Sequence, residues 1–462
     1  MTTRFDPTAT PYRRPPAGER RVVCPAVEAA IQRVHAAAEP AVAAVFENAL
    51  PMTLDTAVTL GEADGRPDAF VITGDIPAMW PRDAVASVWP LLPFIREDDA
   101  AHRVVEGVLN RVAACLRLDP YANAFYDFVN GVSDADRAHP RFGVHADDAT
   151  AMGPGLHERK HELDTLAAFL RLSVGYHGAG GDPAAFGDGW LGALRRAVET
   201  IRAQQAGSDE EEADPAGPPY TFSRVTSRAI DTLVLRGRGQ PARRCGLSKS
   251  PFRPSDDAAQ LPFPVAANAM AAVGLLGVAD LMGALRLDPA LAADCRALGA
   301  EIHDAVLRHG VAEHPTAGRV FAYEVDGFGN AYFMDDANVP SLLALPYLGF
   351  CPPEDPLYRR TRALLWSPDN PYFVSGSAAA AIGGPHVGRS NLWPMSILIH
   401  ALTAADPAEA EADLATLCST HAGRFVMHET FHRDDATAFT RPWFCWPNAL
   451  FAELVWRRFG GD

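Results

Sequence analysis

Residues 264–285, PVAANAMAAVGLLGVADLMGAL, and residues 291–308, LAADCRALGAEIHDAVLR, are successive segments whose apolar residues recur at helical spacing. Comparable segments follow one another along most of the chain, separated by loops rich in Pro, Gly and Asp. The sequence therefore predicts an all-α protein with about a dozen helices. The lack of a βαβ alternation argues against Rossmann and TIM-barrel folds. An irregular helical bundle and a closed ring of paired helices, an (α/α)6 toroid, remain as architectures.

The predicted elements are distributed over the whole chain. Predicted helices cover residues 27–50, 102–118, 162–176, 191–205, 264–285, 291–308, 391–403, 408–421 and 448–458, with shorter ones at 84–94, 339–348 and 358–365. Pro40 is expected to break or kink the first helix. Predicted strands are few and cover 69–73, 220–225 and 320–325. The acidic, Pro- and Gly-containing segment 206–219 predicts a solvated loop.

Length, composition and charge restrict the function. The chain has 462 residues, of which 48% are apolar and 21% charged, as in a folded globular protein. Its 57 acidic and 41 basic residues give a net charge of −16, which argues against nucleic acid as a partner. No segment reaches the roughly 18 apolar residues of a membrane span, and the Arg-rich first residues lack the apolar core of a signal peptide. We therefore expect no membrane partner.

The cysteines indicate the redox environment. Their number is odd, they are scattered, and no CxxC pair occurs, which argues against both a disulfide framework and a zinc ribbon. They are Cys24, Cys115, Cys245, Cys295, Cys351, Cys418 and Cys445. The pattern predicts buried free thiols in a reducing cytoplasm.

Polar and aromatic residues are concentrated in the predicted connections between helices. The segments are residues 73–83, 252–257, 323–338, 384–386 and 428–446, and most of the tryptophans lie in or beside them. Carboxylates, Arg and Asn supply hydrogen-bonding partners for hydroxyl groups, and flat aromatic faces contact the C–H face of a sugar. The segments therefore predict a carbohydrate site. The alternative interpretation is that the aromatic residues fill the core and the aspartates cap helices.

Hydrolysis of a glycosidic bond needs two carboxyl groups in different protonation states. The candidates are Asp75, Asp83, Asp256, Asp257, Asp335, Asp336 and Glu429, and the residues alone do not choose between them. Ser255 is predicted to be the N-cap of a helix whose first turn contains Asp256 and Asp257. The helix dipole would favour their ionised forms, so helix capping is the alternative role. For Glu429, beside His428, the alternative is an ion pair or a hydrogen bond.

Two competing motifs also occur. His157-Glu158-Arg159-Lys160-His161 fits the H-E-x-x-H pattern of zinc peptidases, in which both histidines bind zinc and the glutamate is the base. Arg159 and Lys160 would place two positive charges beside the cation, and the extension of metzincins is missing. A solvated helix start is the alternative interpretation.

The Asp335-Asp336 pair is also compatible with terpenoid cyclases, although the nearby Asn and Arg suit hydroxyl binding better.

The polar segments, taken together, resemble glycoside hydrolase family 125, the metal-independent exo-α-mannosidases. The matching blocks are residues 73–83, 252–257, 323–350 and 429–446. The resemblance implies an (α/α)6 barrel that removes non-reducing terminal α-1,6-linked mannose with inversion and without a metal or other cofactor. It also implies an extension over residues 1–25 and one catalytic domain over 26–462. A non-catalytic carbohydrate-binding toroid is the alternative.

The resemblance assigns roles to individual residues. The general acid maps to Asp256, with Asp257 as the second choice, and the general base maps to Glu429. Expected contacts of the α-mannoside substrate are Asp75, Trp80, Arg82, Asp83, Arg253, Asp257, Asp335, Asp336, Asn338, His386, Arg441 and Trp443. Pro81, residues 246–251, the stretch after 384–386 and the loop 206–219 depart from the family pattern, so the α-1,6 linkage is a weaker expectation than mannoside hydrolysis.

Overall fold

The computed structural model describes residues 5–146, 148, 150 and 152–461. The first four residues of the expected N-terminal extension therefore lie outside the described part. The α-helices are α1 Pro25–Ala37, α2 Pro40–Ala49, α3 Pro81–Val88, α4 Asp99–Leu118, α5 Asp134–Arg137, α6 Leu163–Gly178, α7 Asp188–Ala203, α8 Ser208–Ala213, α9 Val234–Gly237, α10 Val265–Leu285, α11 Pro289–His309, α12 Pro356–Leu365, α13 Pro394–Leu402, α14 Pro407–Ser419 and α15 Cys445–Phe459.

The strands are short and pair only antiparallel in the part that the structure describes. They are β1 Val58–Ala63, β2 Arg66–Val71, β3 Ala124–Phe125, β4 Leu156–Glu158, β5 Phe263–Pro264, β6 Val311–His314, β7 Gly318–Phe321, β8 Glu324–Val325, β9 Ala331–Tyr332, β10 Phe373–Ser375, β11 Ala380–Ile382, β12 Asn391–Leu392, β13 Thr430–His432 and β14 Asp435–Thr440. Several lie directly before a long helix, so they belong to the connections rather than to the core.

The long helices pack in successive pairs. α3 packs against α4, α6 against α7, α10 against α11, and α13 against α14. The first members of these pairs also contact one another, since α3 lies between α6 and α15, α6 contacts α10, and α13 contacts α15. The first helix of each pair is therefore the more buried one, and its N-terminal end meets the connections that carry the polar segments.

Helix α10 shows how close this packing is. A Cβ atom at Gly274 would lie 2.8 Å from the Cβ of Leu170 on α6, so only glycine permits this approach. Among the described residues α10 is long and apolar enough to cross a membrane, with a mean hydropathy of 1.7, contrary to the expectation from the sequence. In the structure 78% of that window is buried inside the protein, as in the central helix of a folded core.

Some predicted elements are wrong. Residues 339–348 form irregular turns instead of a helix, because Pro346 interrupts the segment and Asp335 accepts the N–H groups of Leu342 and Leu343. Residues 220–225 form no strand, and the backbone N–H of Phe222 donates to Gly237 at the end of α9. The remaining differences are smaller: the helix predicted over 27–50 is divided before Pro40, the helix predicted over 391–403 begins after β12, and the acidic loop contains α8.

The described part of the N-terminal segment packs on the helices. The N–H of Tyr12, a buried residue, donates to the carbonyl of Arg424 at 3.0 Å. The guanidinium of Arg14 forms ion pairs with Glu28 at 2.6 Å and Asp55 at 2.7 Å. Residues 5–24 are thus attached to the body of the protein by a backbone hydrogen bond and by ion pairs.

All seven cysteines are free thiols.

Candidate active site

A cavity of about 390 Å³ opens where the N-terminal ends of α3, α13 and α15 meet the connecting segments. This volume lies within the range of roughly 300–1,000 Å³ that is usual for small-molecule sites. Of the expected site residues, the following line it: Trp80, Arg82, Asp83, Asp256, Asn338, His386, Glu429 and Arg441. The cavity therefore collects residues from all five polar segments.

Asp256 lies in a turn rather than in a helix. Its backbone has φ +64°, in the left-handed region, so the predicted helix start at Ser255 is wrong. Ser255 caps no helix, because its Oγ donates to Oδ2 of Asp336 at 2.7 Å. The carbonyl of Asp256 accepts a hydrogen bond from Nζ of Lys160 at 2.7 Å. This turn directs the Asp256 carboxyl into the cavity, where its side chain is 30% exposed.

The Asp256 carboxyl shares its donors with other acids. Its Oδ1 lies 3.5 Å from Nη2 of Arg82 and 3.4 Å from Nδ2 of Asn123. Burial would raise the pKa of Asp256, but the charges of Arg82 and Lys160 lower it. Burial raises the pKa of the neighbouring Glu162 well above its ordinary value despite the attraction of Arg82. The two carboxyls are thus driven toward different protonation states.

Glu429 is positioned by a different part of the chain, the segment around β13 and β14. It is 8% exposed, its Oε2 accepts from the hydroxyl of Thr440 at 2.8 Å, and its Oε1 accepts from Nη1 of Arg441 at 3.4 Å. Arg441 also donates from Nε and Nη2 to Oδ1 of Asp75, at 2.9 and 2.6 Å. In both of these side-chain hydrogen bonds the Glu429 carboxyl accepts, which suits a group that has to take up a proton.

His386 and Asp257 form a second charged pair beside the cavity. Nδ1 of His386 lies 3.0 Å from Oδ1 of Asp257, and Asp257 itself is completely buried. Burial alone would lower the pKa of His386, but the hydrogen bond and charge of Asp257 raise it to about 9. The cavity wall therefore carries an imidazolium at neutral pH.

Several expected substrate contacts lie behind the cavity wall instead. Asp335 is fully buried and accepts two backbone N–H groups, and burial raises its pKa to about 8. Asp336 accepts from Ser255 and from Nδ2 of Asn338 at 2.9 Å. Arg253 pairs with Glu324 at 2.6 Å. The expected contact residues that do not line the cavity are Asp75, Arg253, Asp257, Asp335, Asp336 and Trp443.

Residues outside the cavity lining support the ones that line it. Asp336 orients Asn338, Asp257 orients His386, and Asp75 orients Arg441. Nε1 of Trp443 donates to the hydroxyl of Thr56 at 3.1 Å, which attaches the last segment to the N-terminal helices. Polar residues in the same segment thus divide into an inner set that faces the cavity and an outer set that fixes it.

The H-E-x-x-H segment is neither a zinc site nor a solvated helix start. His157 and Glu158 lie on β4 and His161 follows it, so the histidines do not share one helical face. Both are buried, and burial lowers the pKa of His157 to about 4 and of His161 to about 3. Within residues 5–146, 148, 150 and 152–461, no group of three His, Cys, Asp or Glu side chains is placed to bind a metal.

This segment nevertheless contributes to the site, which the sequence did not indicate. His157, Glu158 and Lys160 line the cavity. Glu158 is ionised, since Lys160 and the nearby Arg224, whose Nη2 lies 2.7 Å from Oε1, lower its pKa against the effect of burial. Other lining residues outside the expected set are Thr73, Trp393, Phe444 and Trp446. The only signal for Glu162 and Asp164 was the acidic run directly after His161.

Comparisons with known proteins identify the family of this chain. Residues 39–456 match the family model described as "Metal-independent alpha-mannosidase (GH125)". The chain belongs to glycoside hydrolase family 125. This GH125 chain is similar to the meiotically up-regulated gene 157 protein of Schizosaccharomyces pombe. The two are 40% identical over 460 residues, which are 97% of this chain and 88% of that protein.

Solved structures extend the likeness to three dimensions. A Streptococcus pneumoniae protein from a family of metal-independent alpha mannosidases, in a non-productive complex with alpha-1,6-mannobiose, is 35% identical with a TM-score of 0.86. The match covers 94% of this GH125 chain and 97% of that chain. A bacterial glucoamylase complexed with acarbose is 11% identical with a TM-score of 0.55, covering 90% and 58%, which shows likeness of fold alone. This GH125 protein is thus a glycosidase with a helix-rich fold.

Proposed function

We propose that this protein is an inverting exo-α-mannosidase that removes terminal α-1,6-linked mannose. The observation that carries the proposal is that Asp256 and Glu429, from segments far apart in the chain, line one cavity. Asp256 approaches beside Arg82 and Asn123, whereas Glu429 approaches beside Arg441 and Thr440. Two carboxyls with separate environments, on separate walls, are what acid–base hydrolysis of a glycoside requires.

In the proposed mechanism Asp256 donates a proton to the glycosidic oxygen while the bond from that oxygen to C1 breaks. Glu429, which already accepts two hydrogen bonds, takes a proton from a water molecule that attacks C1 from the opposite face. An inverting pair needs carboxyls roughly 6.5–9.5 Å apart so that this water fits between them. Exchange with solvent then restores the proton that the acid side lost and removes the proton that Glu429 gained.

Substrate preference is proposed from the cavity wall and from the pneumococcal neighbour. Trp80, Trp393 and Trp446 supply flat apolar faces, and Asn338 and Arg82 supply polar groups for hydroxyls. A cavity of about 390 Å³ suits one terminal sugar and its linkage rather than the middle of a long chain. The α-1,6 linkage is proposed because the S. pneumoniae relative was crystallised with alpha-1,6-mannobiose.

We further propose that the helices close into an (α/α)6 toroid. The contacts α15–α3–α6–α10 and α13–α15 would form most of an inner ring, and the turns at 339–348 would complete it between α10 and α13. The outer layer would consist of α2, α4, α7, α11, α12 and α14. In such a ring the N-terminal ends of the inner helices surround one central cavity, which agrees with where Arg82, Trp393 and Trp446 lie.

The test is hydrolysis of α-1,2, α-1,3 and α-1,6 mannobioses with EDTA present. We expect the α-1,6 isomer to be cleaved fastest, and NMR of the first product to show β-mannose. Release of α-mannose would contradict inversion. Glu429→Gln should remove nearly all activity, whereas Glu212→Gln, an exposed change on α8, should not. Sugar binding without any product on long incubation would instead indicate a non-catalytic binding protein.

A further inference from the structure

Arg82 is surrounded by more acid than its charge can neutralise. Nη1 lies 3.0 Å from Oδ2 of Asp164 and also binds Glu162, while Nη2 lies 3.2 Å from Oδ2 of Asp83 and 3.5 Å from Oδ1 of Asp256. Four carboxyl groups therefore share one guanidinium. Lys160 lies nearby, but its Nζ binds the carbonyl of Asp256 and lies 3.6 Å from Glu158, and Arg441 is paired with Asp75 and Glu429. Four carboxyls around one guanidinium, three of them almost completely buried, oppose one another's ionisation.

Glu162 is the member of this group that is linked to Asp256 and yet does not reach the cavity. It is the residue directly before α6 and is 1% exposed. Asn123 joins the two acids, because its Nδ2 lies 3.0 Å from Oε1 of Glu162 and 3.4 Å from Oδ1 of Asp256. Arg82 joins them a second time. Any change in the charge of one carboxyl therefore acts directly on the other.

The surroundings of the two carboxyls differ in a way that decides where the proton lies. Glu162 is closed off from water, and the acids that face it, Asp164 and Asp256, oppose its ionisation. Glu158 is a further acid on Asn123, but it is compensated by Arg224 and Lys160. Asp256 keeps contact with water through the cavity, since its side chain is 30% exposed. The unliganded pair thus carries one proton, and Glu162 is its carrier.

From this geometry we infer that Glu162 is a positioning residue that stores the proton of the general acid and delivers it to Asp256 when substrate binds. The inference rests on the proposed function. A sugar in the cavity covers Asp256 and removes its water, which favours the neutral acid. The proton then passes from Glu162 to Asp256 and on to the glycosidic oxygen as the C1–O bond breaks. The pair loses one proton, Glu429 gains one from water, and exchange with solvent restores both.

The test compares two substrates that differ in their need for a proton. The leaving sugar of α-1,6-mannobiose must be protonated, whereas the dinitrophenolate of a dinitrophenyl α-mannoside departs without it. Glu162→Gln removes the stored proton and preserves shape. We expect it to lower kcat for mannobiose about 10²-fold or more and kcat for the dinitrophenyl substrate only a few-fold. Asp256→Asn should show the same pattern.

Asp164→Asn is the matched control, because Asp164 is equally buried and binds the same Arg82 but has no contact with Asn123. It should affect both substrates to the same extent. Equal losses on both substrates for Glu162→Gln, or no loss on either, would overturn the inference while leaving the proposed function intact. A wild-type protein that cleaves neither substrate would overturn both.

A second measurement needs no variant. In protein labelled with ¹³C at the glutamate carboxyls, one resonance should remain that of a protonated acid at pH 7. Burial raises the pKa of Glu162 well above its ordinary value, so a spectrum in which every glutamate is ionised at that pH would contradict its role.

Discussion

Asp75 and Arg441, 366 positions apart in the chain, form an ion pair with 2.6 Å between Oδ1 and Nη2. Nη1 of the same guanidinium lies 3.4 Å from Glu429. Arg441 therefore connects the first polar segment of the sequence to the last and orients the proposed base. Its planar fork makes this possible, because lysine offers a single flexible ammonium group.

Replacing Arg441 by lysine should lower kcat about 10²-fold, since Glu429 would lose its fixed orientation toward the attacking water. KM should change less, because the cavity keeps its shape. Steady-state kinetics on mannobiose, with circular dichroism to verify folding, measures this. Arg433→Lys, an exposed residue paired with its neighbour Asp434, is the control and should leave kcat unchanged. A variant at Arg441 with normal kcat would show that Glu429 is oriented without it.

The His386–Asp257 pair predicts a limit to activity at alkaline pH. The pKa of His386 is raised to about 9, so its positive charge is present below that pH and lost above it. Because this pKa is higher than the unfolded value near 6.5, the pair's contribution to stability is complete below about pH 6.5 and disappears as the pH rises through about 9. In Asp257→Asn, both kcat/KM and the melting temperature should depend much less on pH between about 7 and 9.

The control for this experiment is His35→Gln, since His35 is an exposed histidine paired with Glu47. It should follow the wild-type pH profile. If Asp257→Asn and the wild type lose activity over the same pH interval, another group must be responsible for the alkaline limit.

The left-handed backbone of Asp256 separates catalytic from conformational effects. Asparagine tolerates φ near +64°, whereas alanine is strained there. We expect Asp256→Asn and Asp256→Ala to be similarly inactive on mannobiose. Urea unfolding should show the alanine variant to be less stable than the asparagine variant by about 1 kcal/mol. Equal stability of the two variants would contradict the proposed strain.

Stability away from the cavity should depend on Arg111. This completely buried residue of α4 pairs with Asp68 and with Asp127, at 2.7 and 2.9 Å. Arg111→Met leaves buried carboxylates without a cation and should cost about 3–5 kcal/mol of unfolding free energy. Arg103→Met, on the same helix but with an exposed pair to Glu62, should cost less than about 1 kcal/mol. Comparable losses would mean that burial of the pair is unimportant.

His161 provides a test of the discarded zinc motif. Neither of its ring nitrogens has a hydrogen-bond partner, and its ring packs against Tyr121 and Tyr220. Phenylalanine supplies a similar ring, so His161→Phe should change stability by less than about 1.5 kcal/mol and leave EDTA-resistant activity in place. The prediction would be contradicted if EDTA inactivated the wild-type protein and added zinc restored its activity.

The long helices could be predicted from the sequence because their periodicity is local. The prediction over 264–285 differs from α10 by one residue, and that over 291–308 differs from α11 by a few. The turns at residues 339–348 could not be predicted from the sequence, because the apolar pattern of this segment is that of a helix. Tertiary contacts select the turns instead, such as the hydrogen bonds from the N–H groups of Leu342 and Leu343 to Asp335. The strand over 220–225 failed for the same reason.

Some residues of the candidate site could likewise be predicted from the sequence, whereas others depend on tertiary contacts. Asp256 and Glu429 were identified as candidates from the polar segments and the family resemblance, and both lie in the cavity. The choice between Asp256 and Asp257 needed the backbone conformation, because the turn directs neighbouring side chains to opposite sides of the wall. Glu162 carried no recognisable pattern, since its properties arise from burial beside Arg82 and Asn123, which are distant in sequence.

The convergence of α3, α13 and α15 on the cavity also constrains how the chain can diverge. Their first turns and the segments that precede them are packed together, since residues such as Ala78, Met79 and Leu392 are completely buried. Insertions or deletions in these segments should therefore disturb the helices as well as the cavity. A chain fragment that ends between residues 83 and 429 would lack part of the cavity lining, so it should bind no sugar on its own.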